Sequence, residues 1–258
     1  MVIEQLLANK TTLLNQQVLD GYLLEVKETT QYRWFEYDGT SIQSLMSKAA
    51  PEKVIMPVSQ SLLLFLLLEN NPTNILSLGL GGASIERALV SLPNIKITAI
   101  DASQPIIDMA RRYFYLSNSV EVYCQQAEQF VEETTIQYDV VLCDLFIGER
   151  SPEFLFTALF YKQLSQITSC KAVVSLNIKA QNNEQLLNML FAIKKYFPNI
   201  ALIEFEDYSN IVILCSYQTI PNQSILQRRL LSFTDVDLTG LDKTIEKMSY
   251  IPSNKAKI

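Results

Sequence analysis

The chain has 258 residues, 48% of them hydrophobic and 19% charged, with 21 Lys+Arg against 27 Asp+Glu and no histidine. That length suits one large domain with a small appendage and allows a sizeable core. A net charge of −6 argues against nucleic acid as a partner, because phosphate neutralisation needs a basic surface. The missing histidine excludes Ser-His and Cys-His dyads and every His-containing metal site.

Cys124, Cys143, Cys170 and Cys215 lie far apart without C-x-x-C spacing, so neither a disulfide framework nor a metal site is expected. Three of them close hydrophobic runs (VEVYC, VVLC, IVILC), the setting of a buried free thiol. The amino terminus, MVIEQLLANK, has no basic segment, and Glu4 interrupts its apolar residues, unlike a signal peptide. The longest apolar run, LLLFLLL from Leu62 to Leu68, falls far short of the ~20 residues of a membrane span. A cytoplasmic protein without a membrane partner is expected. Only 7 glycines occur, where average usage of roughly 7% would give about 18. Gly79, Gly81 and Gly82 fall within four residues, which marks a place where side chains are not tolerated.

In chain order, residues 1–17 read as an amphipathic helix with Ile3, Leu6, Leu7, Leu13 and Leu14 on its apolar side. Val18–Val26 and Gln31–Tyr37 carry the aromatic and β-branched content of strands, and Asp38-Gly39 marks a tight turn. These elements predict a small antiparallel β unit over residues 1–50, with residues 51–258 as the main domain. From residue 58 the pattern alternates. A buried helix (SQSLLLFLLLEN) leads to a strand at Asn74–Leu78, the glycine turn and a helix (ASIERALVSL). A strand at Lys96–Asp101 and a helix holding Ala110 and Arg111 follow. Then come a strand at Val120–Cys124, a helix at Gln126–Glu133 and a strand at Tyr138–Asp144. A helix from Pro152 towards Thr168, a strand at Lys171–Ile178 and a helix at Glu184–Tyr196 complete the series. Repeated βα units mean a parallel sheet covered on both faces.

Ile200–Phe205 and Ile211–Tyr217 are joined by only five residues, too few for a parallel crossover, so they must form an antiparallel hairpin. A mostly parallel seven-stranded α/β sheet ending this way is the arrangement of S-adenosylmethionine-dependent transferases. Residues 222 onward read as helical.

The glycine cluster lies between a strand and a helix, where backbone can approach a ligand and helix N–H groups are free; the alternative is a turn that merely packs. Ser84 stands where a dinucleotide fingerprint wants a third glycine, which lowers the nicotinamide reading. Asp101 ends the second main-domain strand and can accept from ribose hydroxyls, or it caps the next helix through Ala102 and Ser103. Asp144 ends the fourth strand and points to the same crevice, or it is a helix N-cap or orders the loop behind it. Gln126 is placed to meet an adenine edge, or to cap its helix.

The stretches YRWFEYDGTSIQSLM, NILSLGLGGASIERAL, KITAIDASQPIIDMARRYF and YDVVLCDLFIGERSPEFLFTALFYKQL resemble the polyamine aminopropyltransferase (spermidine synthase) family, especially its shortened bacterial spermidine synthase-like members. The resemblance implies a β-rich N-terminal unit before a Rossmann-like transferase domain, assembled as a dimer or tetramer. It implies a site for decarboxylated S-adenosylmethionine or methylthioadenosine lined by Gln43, Gly79, Asp101 and Asp144. Leu80, Gly81, Gly82, Ala102, Gln126 and Ala127 complete the expected nucleoside-binding set. The acceptor would be a small-molecule amine, and no metal is required because the sulfonium already activates the leaving group. The family's pattern is incomplete here: an acid of its glycine motif is Gly82, the acid after the third strand is Gln126, and its Tyr-His-Glu-like stretch reads Val58-Ser59-Gln60. Its D-x-x-D signature survives only as Asp144, with Gly148 and Glu149 further on. The amine half of the site is therefore expected to be degenerate, with Asp144 as base or amine anchor.

The leading expectation is a spermidine synthase-like aminopropyltransferase. The alternatives are a small-molecule methyltransferase using S-adenosylmethionine and a non-catalytic nucleoside-binding paralogue. Tyr22, Tyr32, Trp34, Phe35 and Tyr37 are too many aromatics for so small a β unit to bury alone, which suggests a homodimer or packing on the main domain.

Overall fold

A computed structural model describes residues 10–19, 21–39, 41–68, 71–146, 148 and 150–252. The first described elements are strands. β1 (Thr12–Leu19), β2 (Tyr22–Glu28), β3 (Tyr32–Tyr37) and β4 (Ser41–Ser47) form an antiparallel sheet in chain order. The expected helix over 1–17 is thus a strand from Thr12 onward, and its first nine residues lie outside the described ones. Leu13 and Leu14, adjacent in sequence, fit a helix face, but a register shift between Leu13 and Asn15 seats them in a bulged strand paired to β2. The single strand expected over Val18–Val26 is likewise split. Leu19 pairs with Tyr22, and Gly21 between them has φ +85°. Gly21 thus sits in a tight turn between two paired strands, like the turn read at Asp38-Gly39.

One face of this sheet packs Leu24, Val26, Phe35 and Met46 against Ile106, Met109 and Phe114 of the main body. On the other face Trp34 and Leu45 meet Ile55 and Met56. Trp34 and Phe35 are buried and Tyr22 is exposed, so most of the aromatic surplus is covered inside the chain rather than left for a second copy.

The main body follows the alternation read from the sequence. α1 (Pro57–Ser61) continues as a 3-10 turn over Leu62–Leu67. Every residue of that turn is buried, as expected of a segment apolar on all sides. β5 (Asn74–Leu78), α2 (Ser84–Leu89), β6 (Lys96–Asp101), α3 (Gln104–Tyr113), β7 (Glu121–Cys124), α4 (Ala127–Glu133) and β8 (Tyr138–Asp144) follow. The helix expected from Pro152 is broken. A 3-10 turn spans Glu153–Phe156, and Thr157 then caps α5 (Ala158–Gln166) with its hydroxyl accepting from Phe160 N. β9 (Thr168–Ile178), α6 (Asn183–Lys194), β10 (Asn199–Glu204), β11 (Ile211–Ser216), α7 (Gln223–Ser232), α8 (Leu241–Glu246) and β12 (Met248–Ile251) complete the chain.

The large sheet has the order β12-β10-β11-β9-β8-β5-β6-β7. β5 to β9 are parallel, and β11 runs antiparallel to both β9 and β10, confirming the terminal hairpin. The eighth strand was not foreseen. Four residues are too few to show a period, and β12 exists because β10 offers an open edge to pair with. Cys143 and Cys215 are buried as expected, whereas Cys124 is exposed because β7 is the other edge strand.

Strand order reverses between β5 and β8. The crevice outside their carboxyl ends is where open α/β sheets bind ligands.

Candidate active site

A cavity of about 670 Å³ opens at that crevice. The small sheet supplies Leu19, Tyr22, Phe35, Tyr37, Gln43 and Ser44 to its wall. Every residue expected at the site lines it: Gln43, Gly79, Leu80, Gly81, Gly82, Asp101, Ala102, Gln126, Ala127 and Asp144. The sequence reading did not single out Ser59, Glu86, Glu128, Glu153 or the aromatic rim of Tyr22, Tyr37, Phe146 and Phe154 as site residues.

The glycine turn owes its composition to two close approaches. Gly79 has φ +89°, and a Cβ there would sit 2.3 Å from the Asp144 carbonyl oxygen. The turn after β5 therefore lies directly against the end of β8. At Gly82 a Cβ would fall 2.2 Å from Ser44 Oγ, so β4 of the small sheet occupies the space a side chain would need. Arg87 on α2 locks the turn from beneath. Its guanidinium donates to the carbonyls of Gly82, Phe114 and Pro51. That ties the turn to the end of α3 and to the linker between the sheets.

Asp101 is held by backbone donors. Oδ2 accepts from Leu80 N at 3.0 Å and Oδ1 from Ser103 N at 2.9 Å. Ser103 then caps α3, its hydroxyl accepting from Ile106 N. The carboxylate thus steers both the glycine turn and the helix start while it faces the cavity. Burial raises its pKa, opposed by the bonds from Leu80, Ser103 and Gly81. Gln126 is the N-cap residue of α4 yet makes no side-chain cap bond, so the capping alternative is not realised.

Asp144 is held by side chains instead. Oδ1 accepts from Asn177 Nδ2 at 2.8 Å, and the Ser59 hydroxyl on α1 adds a second bond. Asn177 in turn accepts from Asn210 Nδ2 at 3.0 Å. Burial raises the pKa of Asp144 against the two side-chain bonds. Beside it Glu86, 2% exposed, accepts a 2.5 Å bond from Ser77 Oγ. Burial lifts its pKa to about 7, with the Asp144 charge adding to the rise.

The lining has one sign of charge. It holds five carboxylates, Glu86, Asp101, Glu128, Asp144 and Glu153, and no lysine or arginine among the described residues. No group of three or more His, Cys, Asp or Glu among the described residues is arranged to hold a metal ion. No described helix is long and apolar enough to cross a membrane.

A mostly parallel sheet with a reversed terminal hairpin, and a glycine turn facing an acid at the end of the next strand, define a Rossmann-like transferase fold. Solved structures agree on that fold. A probable spermidine synthase from Corynebacterium glutamicum superimposes with a TM-score of 0.74 at 15% identity, covering 93% of this chain and 90% of that one. Human methyltransferase-like protein 13 in complex with SAH gives 0.55 at 21% identity, covering 78% and 95%. The sequence model of the spermine/spermidine synthase domain matches residues 60–215, and the chain belongs to that family. It is 28% identical over 188 residues to the polyamine aminopropyltransferase of Vibrio vulnificus, a match covering 69% of this chain and 62% of that protein.

Proposed function

We propose that this chain is an aminopropyltransferase that moves the aminopropyl group of decarboxylated S-adenosylmethionine onto a small-molecule amine. The observation that carries the reading is the all-acidic lining of the cavity. Both reactants are cations, a sulfonium nucleoside and an ammonium, and low-dielectric walls of one sign concentrate them. A donor that retained its carboxylate would meet five acids and no basic side chain among the described lining residues, which favours the decarboxylated form over S-adenosylmethionine.

In this reading Asp101 holds the ribose beside the glycine turn, and Gln126 meets the adenine. The amine nitrogen attacks the methylene carbon next to the sulfonium. The new C–N bond forms as the C–S bond breaks, and the sulfur keeps the electron pair in methylthioadenosine. Asp144 orients the attacking amine and takes the proton it loses. The amine half departs from the family's pattern at Gly82, where Ser44 leaves no room for an acid.

Incubating the chain with decarboxylated S-adenosylmethionine and a panel of amines, and measuring methylthioadenosine release, tests the reading. Amine-dependent release is the expected result. Methyl transfer from S-adenosylmethionine in its place would support the second reading, to which the likeness to a methyltransferase fold lends weight. Nucleoside binding without transfer to any amine would leave a binding protein.

A further inference from the structure

We propose that Glu86 is a second acidic ligand of the acceptor amine, sharing its ammonium charge with Asp144. The proposal rests on the aminopropyl-transfer reading and names a residue within that site. Glu86 stands on α2, immediately behind the glycine turn, and lines the cavity. Its Oε1 is committed to Ser77 Oγ on β5, but its Oε2 is buried without a hydrogen-bond partner in the structure. A carboxylate oxygen buried and unpaired is costly to keep, and Glu86 keeps one in a residue that lines the cavity.

Two charges act on Glu86: Arg87 favours its ionised form and Asp144 opposes it. Arg87, next along α2, directs its guanidinium at main-chain carbonyls and Ser84 Oγ rather than at Glu86. Asp144 on β8 is the other charged group acting on Glu86, and it repels a second negative charge. β5 contributes only the Ser77 hydroxyl. Two acids with one cationic neighbour turned elsewhere form a receptor for an ammonium group, whose three N–H donors can serve both. Gly82 cannot carry an acid beneath Ser44, and Glu86 supplies one from the same turn-and-helix segment.

A consequence separates this role from a structural one. With no cation present, Glu86 holds its proton up to a pH of about 7. An arriving ammonium favours the ionised form and expels that proton. Amine binding near neutral pH therefore releases a proton to solvent, and the released proton comes from Glu86.

The test is calorimetric titration of putrescine and of spermidine into the chain saturated with methylthioadenosine, in buffers of different ionisation enthalpy. Wild type should bind amine with proton release. Glu86→Gln, which keeps an acceptor for Ser77, should bind amine roughly 10-fold or more weakly, release no proton and retain its methylthioadenosine affinity. Asp144→Asn should weaken amine binding but keep the proton release. Wild-type affinity and wild-type proton release in Glu86→Gln would overturn the assignment. Amine binding by wild type without any proton release overturns it with no variant needed. A wild type that binds methylthioadenosine but no amine withdraws the aminopropyl reading itself, and Glu86's role with it.

Discussion

The two halves of the cavity are built in opposite ways. On the nucleoside side, Asp101 is positioned by backbone N–H groups of Leu80 and Ser103, the second only two residues away. On the side proposed for the amine, Asp144 is positioned by side chains from α1, β9 and the loop before β11: Ser59, Asn177 and, through it, Asn210. The first arrangement is a property of one βαβ unit and tolerates change elsewhere in the chain. The second exists only when distant elements have packed. In the proposed reading, a family can therefore keep the first half and remodel the second.

Asp144→Asn should produce the largest effect. It keeps a bond partner for Asn177 but removes the charge and the base, so transfer should fall ~100-fold or more while methylthioadenosine affinity holds. Unchanged turnover with a lowered Tm would make Asp144 a packing residue and erase the contrast between the halves. Asp101→Ala comes next, with roughly 10- to 100-fold weaker nucleoside binding, as expected for lost hydrogen bonds to a charged group. It should also melt earlier, because the backbone donors of Leu80 and Ser103 lose their acceptor. Melting followed by calorimetry reads both, and intact nucleoside affinity would remove the ribose assignment.

That contrast also decides what was legible in the sequence. The glycine turn, Asp101 and Asp144 could be read because each ends a strand at a recognisable spacing, and strand ends in a parallel sheet converge on one crevice. The terminal hairpin followed from loop length alone. Ser59 and Glu86 were not read as site residues, since one lies in a helix start and the other in a helix whose residues look like ordinary packing. Only the tertiary approach of β5 and β8 brings Glu86 to the cavity beside Asp144. β12 escaped for a similar reason: its strand character comes from the open edge of β10 rather than from its own four residues.

Gly82→Ala sharpens the comparison at its seam. The added Cβ meets Ser44 Oγ, so the small sheet must shift, at a cost of about 1–3 kcal/mol. Denaturant melts should show that loss, and pairing it with Ser44→Gly should recover much of it. No loss in the single variant would mean that β4 does not press on the turn.

Glu86→Gln should show a pH-dependent gain in stability. Glu86 has a folded pKa of about 7 against an ordinary value of 4.5, so the native state binds the extra proton between those values. Its contribution to stability is full below 4.5, falls as pH rises through that window and is lost above about 7. The variant should match wild type in acid and melt higher above neutrality: a rise from 4.5 to about 7 is worth about 3 kcal/mol, roughly 6–12 °C for a chain of this size. A difference independent of pH would show that Glu86 is not neutral in the folded protein.

The central claim is that the cavity receives cations and has no basic side chain for a donor carboxylate. Its most direct test is a calorimetric comparison of decarboxylated S-adenosylmethionine with S-adenosylmethionine on the same protein. The two ligands differ only in that carboxylate. The account predicts that the decarboxylated form binds more tightly by at least about 10-fold, the scale of one charged interaction in a partly buried site. Equal or tighter binding of S-adenosylmethionine would contradict it.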